Sequence, residues 1–148
     1  EYKYSNEEIL NKKYVYILNN LLTNTYNYKM VNYTSPTLLS ISSDLNGKYA
    51  IKSGSTSYDY WTIGYDKNYL VMVWAGNDND KKIKNNESKI TKKIWSKTMT
   101  SINIKPKWYD IPNGITAEEI NPISGIPDKD GLLCLFEKGT EPSYNFID

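Results

Sequence analysis

Apolar residues recur at steps of three and four near the start of the chain: Ile9, Leu10, Tyr14, Ile17, Leu18, Leu21 and Leu22. That spacing gathers side chains on one helical face. Ser5 stands where an N-cap belongs, and Glu7 and Glu8 fall in the first turn, so the pattern predicts an amphipathic helix over residues 6–22. Residues 23–46 lose the period and are rich in Asn, Ser and Thr. They read as a loop with little regular structure, ending in the turn-forming pair Asn46-Gly47. Three strand-like runs follow at 48–55, 60–65 and 69–75, and links this short join antiparallel neighbours, so the runs predict a meander. The third run, Leu70-Val71-Met72-Val73-Trp74, is apolar at every position and predicts cover on both faces. Residues 76–84 form a charged, Asn-rich loop. Ile90, Ile94, Trp95, Thr98, Met99 and Ile102 then mark a second helix over 86–102 with one buried stripe, its Lys89, Lys92, Lys93 and Lys97 reading as a solvated face.

Beyond residue 105 the pattern changes. Pro106, Pro112, Pro122, Pro127 and Pro142 alternate with Gly114, Gly125, Gly131 and Gly139. This tail has room for short strands at 115–120 and 132–137, joined by a connection over 121–131. The expected fold class is α+β, an antiparallel sheet flanked by helices, with a loop-rich tail. Residues 1–105 form the main portion and 106–148 a tail packed on it. At 148 residues the chain is one domain or a piece of one. It begins at Glu1 without a targeting pattern, and its longest apolar stretch is far below the ~20 residues that cross a bilayer. The expectation is an internal or processed portion of a longer protein, with any membrane anchor upstream.

Composition narrows the chemistry. There is no His, which removes imidazole acid–base pairs, Ser-His-Asp arrangements and His-ligated zinc from this chain. The single Cys134 excludes an intramolecular disulfide and a Cys-rich metal site; it reads as an apolar filler in a tail strand. Net charge is +1, far from the basic surplus of a phosphate-neutralising protein, so no nucleic-acid partner is expected. All the basic residues are Lys, and Asn, Ile and Tyr are abundant, as in proteins of AT-rich genomes. No cofactor or metal is implied.

One constellation carries chemistry: Lys52-Ser53-Gly54-Ser55-Thr56, at the end of the first predicted strand. A strand edge offers main-chain groups to an extended peptide. A glycine there lets a ligand backbone approach closely. The lysine adds positive charge, and the hydroxyls can hold a carboxylate. Taken alone, the triplet is equally served by a strand that runs out into a Gly/Ser turn.

The neighbouring text adds to it. Lys-Thr/Ser-Gly on a strand is the third box of penicillin-binding proteins and serine β-lactamases. Four segments in order resemble the C-terminal part of the transpeptidase domain of class A, bifunctional penicillin-binding proteins. Tyr49-Ala50-Ile51-Lys52-Ser53-Gly54-Ser55-Thr56 resembles the box strand. Asp59-Tyr60-Trp61-Thr62-Ile63-Gly64-Tyr65 resembles the family's Asp-x-Trp-Phe-x-Gly-Tyr. Val73-Trp74-Ala75-Gly76-Asn77-Asp78 resembles Val-Trp-x-Gly-Asn/Tyr-Asp, and Phe136 to Pro142, with Gly139-Thr140-Glu141-Pro142, resembles the closing Phe-x-x-Gly-Thr-x-Pro. In the family Gly usually precedes the box lysine; here Ile51 does. Ser-x-x-Lys and Ser/Tyr-x-Asn boxes precede the third box in the family. No Ser here has Lys three positions later, and Ser101-Ile102-Asn103 lies after the box, at a helix end.

The resemblance implies part of a serine D,D-transpeptidase that cross-links peptidoglycan stem peptides and binds β-lactams. This chain would supply the docking strand while the upstream portion of the same protein supplies the nucleophile, so the chain by itself is expected to be inactive. Lys52 would place charge and hydrogen bonds toward the second box. Ser53 and Ser55 would hold the ligand carboxylate, Gly54 would keep the groove open, and Thr56 would be a secondary wall. The Ser55 N–H would serve as one oxyanion donor. Trp61, Tyr65 and Trp74 read as packing. The implied location is the outer face of the cytoplasmic membrane, through an anchor outside this chain. A non-catalytic cell-wall or glycan-binding module derived from the same fold would carry the same motifs.

Overall fold

The structure, a computed structural model, describes residues 8–77, 81–83 and 87–143. Its order is helix α1 (Lys12–Leu22), three 3₁₀ turns (Thr23–Tyr26, Tyr28–Asn32, Leu39–Asp44), strands β1 (Ala50–Ser55), β2 (Asp59–Tyr65) and β3 (Leu70–Gly76), helix α2 (Ser88–Ile102), and strands β4 (Ile115–Ile120) and β5 (Leu132–Glu137). It is α+β with two antiparallel sheets, one ordered β1-β2-β3 and the other β4-β5. The chain divides into two compact units: residues 19–110, and residues 1–18 with 111–148.

The three strands of the 19–110 unit pair as the short links predict. Ala50 to Ser55 face Tyr65 to Tyr60, and Asp59 to Tyr65 face Gly76 to Leu70. Helix α2 lies against one face of this sheet. Leu38, Ile41, Tyr49, Ile51, Trp95 and Met99 are fully buried together between helix and sheet. The Trp95 indole stands edge-on to the Tyr49 ring, with centroids 5.6 Å apart, and donates its Nε1–H to the Val71 carbonyl at 3.0 Å. Gly64 makes this seat possible: a Cβ there would stand 2.5 Å from the Trp95 ring and 3.0 Å from Ile51.

Below α2 the chain is tied by Asp66. Its carboxylate accepts the Asn103 side-chain amide at 2.7 Å and the N–H groups of Lys107, Asn68 and Tyr69 at 2.8–3.0 Å. Desolvation alone would raise this carboxyl, but the hydrogen bonds outweigh it and hold it below the ordinary aspartate value. Asn103, the last residue of the Ser101-Ile102-Asn103 triplet, is thus buried in a structural tie at the end of α2.

In the other unit, β4 and β5 occupy the predicted ranges and pair from Ile115–Glu137 to Ile120–Leu132. Tyr14 donates its hydroxyl to Glu137 at 2.8 Å, and Lys13 forms an ion pair with the same carboxylate. Cys134 sits half-buried in β5.

Several expectations need correction. The first helix begins at Lys12, not near residue 6, because the Asn11 side chain accepts the Lys13 N–H at 2.9 Å and caps the helix there. Ile9 and Leu10 precede it and are exposed; Ser5 and Glu7 lie outside the described residues. Residues 23–46 are not an irregular loop. They carry the three 3₁₀ turns and contribute Leu38 and Ile41 to the core. The buried face of α2 is Thr91, Trp95, Ser96 and Met99, while Ile90, Ile94 and Ile102 stay nearly half exposed. The bulk of Trp95, seated on Gly64, sets which side of the helix meets the sheet. Among the described residues strand β3 is covered on one face: on the other, Leu70 is 66%, Met72 59% and Trp74 46% exposed. Trp74 is therefore not core, and Trp61 and Tyr65 are half-buried.

Candidate docking strand and cleft

Strand β1 has a partner on one side only among the described residues, so it is a sheet edge. Its hydrogen-bonding parity is set where the hairpin closes. Thr56 donates its N–H to the Asp59 carbonyl at 3.0 Å. Bonded and non-bonded pairs alternate along an antiparallel ladder. The pairs Gly54–Trp61 and Lys52–Ile63 therefore carry ladder bonds, and Ile51, Ser53 and Ser55 turn their N–H and C=O groups away from β2. Two contacts agree with this parity: the Ile51 carbonyl accepts the Thr25 hydroxyl at 3.0 Å, and the Ser53 carbonyl accepts Lys52 Nζ at 2.6 Å.

Side chains alternate across the strand. Ile51 is buried against α2, on the face that Ser53 shares, while Lys52 and Gly54 lie on the opposite face. Ile51, standing where the family has Gly, is thus absorbed by the core next to Gly64 rather than by the groove. Gly54 differs from Gly64. A Cβ on Gly54 would meet Trp61 no closer than 3.5 Å, an ordinary contact, so internal packing does not require a glycine there. The space it leaves opens to solvent.

Lys52, Ser53, Gly54 and Ser55 line one cleft of about 450 Å³, together with Thr37, Tyr60, Trp61, Ser88, Thr91 and Lys92. Lys52, Gly54 and Ser55 are exposed, and Ser53 is half-buried. The expected residues are therefore brought together, except Thr56. The Thr56 hydroxyl accepts the N–H groups of Tyr58 and Asp59 at 3.0 and 3.1 Å and donates to Asp59 Oδ1 at 2.6 Å. It caps the β1–β2 turn. That hydroxyl is the main reason the Asp59 carboxyl lies below its ordinary value, with desolvation opposing it. The Trp74 indole, tilted against Trp61 at 6.2 Å between centroids, reaches the same carboxylate at 3.4 Å.

Six cleft residues escape a reading of the sequence, Trp61 among them, and three of the six show how distant chain builds the site. Thr37 Oγ1 lies 2.8 Å from Ser53 Oγ. Lys92, expected on a solvated face, donates to the Thr37 carbonyl at 2.7 Å. Burial, helped by the nearby Lys89, pulls the Lys92 ammonium below its ordinary lysine value. Thr91 accepts the Thr62 hydroxyl at 3.0 Å beneath the cleft. No local pattern announces these residues, because Thr37 and Ser53 are 16 positions apart and Thr37 and Lys92 are 55 apart. Among the described residues no cluster of His, Cys, Asp or Glu could hold a metal ion, and no helix is long and apolar enough to cross a membrane.

No protein-family model matches the chain. It is 31% identical over 144 residues to penicillin-binding protein 2D of Bacillus subtilis (strain 168), a match covering 93% of this chain and 21% of that protein. Among solved structures, penicillin-binding protein 1A from Haemophilus influenzae superposes with a TM-score of 0.79 at 18% identity, covering 94% of this chain and 22% of that one. The chain spans about a fifth of the length of these relatives. The resemblance carried by the motifs stands: both relatives are penicillin-binding proteins, and the sheet-and-helix fold is shared with one of them.

Proposed function

We infer that this chain, a homologue of one segment of penicillin-binding proteins, is the C-terminal part of a transpeptidase domain and forms the docking wall of its active site. The reaction proposed for the whole protein is acyl transfer. A serine outside this chain attacks the D-Ala-D-Ala amide of a peptidoglycan stem peptide, the terminal D-Ala leaves, and an amine of a second stem takes the acyl group. β-Lactams would acylate the same serine. The observation that carries this reading is the parity of β1. An edge strand turns the main-chain groups of Ser53 and Ser55 outward beside an exposed Lys52 and an unpacked Gly54.

In that setting an extended acyl donor pairs with the outward groups of β1. The Ser55 N–H acts as one donor to the developing oxyanion, a role worth ~2.7–4 kcal/mol where it has been removed by mutation. Lys52 supplies positive charge at the mouth and donors for the ligand. The Ser53 and Ser55 hydroxyls hold its carboxylate. An upstream segment supplies the nucleophile, its activating lysine and the envelope anchor.

The test is covalent labelling of the intact protein with a fluorescent penicillin. Labelling is expected in the wild type and lost in Lys52→Ala. Glycan binding with no labelling of the wild type is the outcome that replaces this reading with a non-catalytic wall-binding module.

A further inference from the structure

The outward edge of β1 is not free along its length. At Ile51 the carbonyl is taken by the Thr25 hydroxyl at 3.0 Å. At Ser53 the side-chain hydroxyl meets the Thr37 hydroxyl at 2.8 Å. Both straps come from one stretch of chain, because the Leu38 N–H donates to the Thr25 carbonyl at 2.9 Å and Leu38 itself is fully buried. Lys92 holds the same stretch from the other side through the Thr37 carbonyl at 2.7 Å. Past Ser53 the strand is exposed at Gly54 and Ser55.

We propose that Thr37, positioned by Lys92, is the end stop of the groove and makes it select a ligand whose chain terminates there in a carboxylate. This rests on the transpeptidase reading above and adds to it the residues that define the ligand's end. An extended chain that pairs at Ser55 and runs toward Ser53 finds no further edge, since the Ile51 carbonyl is already used. It has to end at the paired hydroxyls. When one of two hydroxyls 2.8 Å apart donates to the other, the acceptor's own O–H remains to point at a third oxygen. Lys92 spends one of its three N–H donors on Thr37, and its charge stays at the same end of the cleft. A terminus that only accepts hydrogen bonds and carries negative charge satisfies both groups. An esterified terminus, or a chain that continues, satisfies neither and meets Thr37 sterically.

The experiment compares second-order acylation of the intact protein by benzylpenicillin and by its methyl ester. Wild type, Thr37→Val, Lys92→Met, Lys92→Arg and Lys52→Ala are measured, with thermal melting as the folding control. Thr37→Val keeps the shape of the stop and removes its hydroxyl. Lys92→Met keeps the aliphatic stem and removes the charge. The wild type should prefer the free acid. Thr37→Val and Lys92→Met should each reduce that preference about tenfold, the scale of one hydrogen bond to a charged group. The ester rate should fall less than the acid rate, and Lys92→Arg should restore most of the preference. Equal losses for acid and ester in both variants mean that Thr37 and Lys92 only support the fold, which overturns the end stop while leaving the transpeptidase reading intact. Failure of the wild type to acylate at all overturns that reading, and the end stop with it.

Discussion

Gly64→Ala tests whether the packing beneath β1 is as tight as its geometry requires. The added methyl would sit 2.5 Å from Trp95 Cζ2, 2.9 Å from Cε2 and 3.0 Å from Ile51 Cγ1. Carbon atoms prefer ~3.5–4.0 Å, so the ring would have to retreat by about 1 Å. It has little room to do so. Trp95 and Ile51 are fully buried, and the indole is pinned by its bond to the Val71 carbonyl. Overpacking of this kind costs about 1–3 kcal/mol, and the smaller entropy of an unfolded alanine returns only ~0.4–1 kcal/mol. Because the ring is pinned, the upper end of that cost applies and a net loss of about 2 kcal/mol is expected, which lowers the melting temperature by ~4–8 °C in a domain of 150–250 residues. The diagnostic measurement is a double-mutant cycle followed by calorimetry. Trp95→Phe removes the ring atoms that meet the methyl, so Gly64→Ala should cost roughly 1 kcal/mol or less in that background. Additive penalties, or a Gly64→Ala protein as stable as wild type, would show that Gly64 is not what seats Trp95.

Two other outcomes follow from the same packing. The Asp66 carboxyl is held below its ordinary value, so its stabilisation is full above the unfolded aspartate value and is lost as pH falls from about 5 through the folded value. Asp66→Asn should flatten the melting-temperature profile across that range; an unchanged acid slope would remove Asp66 from the account. The exposed face formed by Ile63, Leu70, Met72 and Trp74 should drive self-association of this chain when it is prepared alone. Met72→Lys should shift sedimentation toward monomer, and a wild-type chain that sediments as a monomer at high concentration would contradict this.

The legible part of the molecule was the part in which local pattern and final environment agree. The ranges of β4 and β5 are legible to the residue, because Pro- and Gly-rich turns bound each run and leave it little freedom to slide. The meander of β1, β2 and β3 followed from links too short for any crossover, and the box residues of β1 followed from their types and order. Misread positions were those whose environment is made by distant chain. Asn11 caps the start of the first helix at Lys12, and nothing in this Asn-rich text sets it apart from the other asparagines. The apolar period of α2 includes Trp95 and Met99, which are buried, but also Ile90, Ile94 and Ile102, which a tryptophan seated on a glycine leaves nearly half exposed.

Residue types and their spacing along the chain determined which segment is a strand, which residues it presents and which family it resembles. Alternation with a period of two and short connections are local properties, and they survive in one dimension. Only the tertiary structure decided that β1 is an edge, that Ser53 and Ser55 rather than Lys52 and Gly54 turn their main-chain groups outward, and that Thr37 and Lys92 close one end. The residues gathered at that end are joined by hydrogen bonds across 16 and 55 positions of chain. Such contacts form when α2 and the 3₁₀ turns bury Leu38, Ile41 and Trp95 against the sheet, and no stretch of sequence encodes that packing by itself.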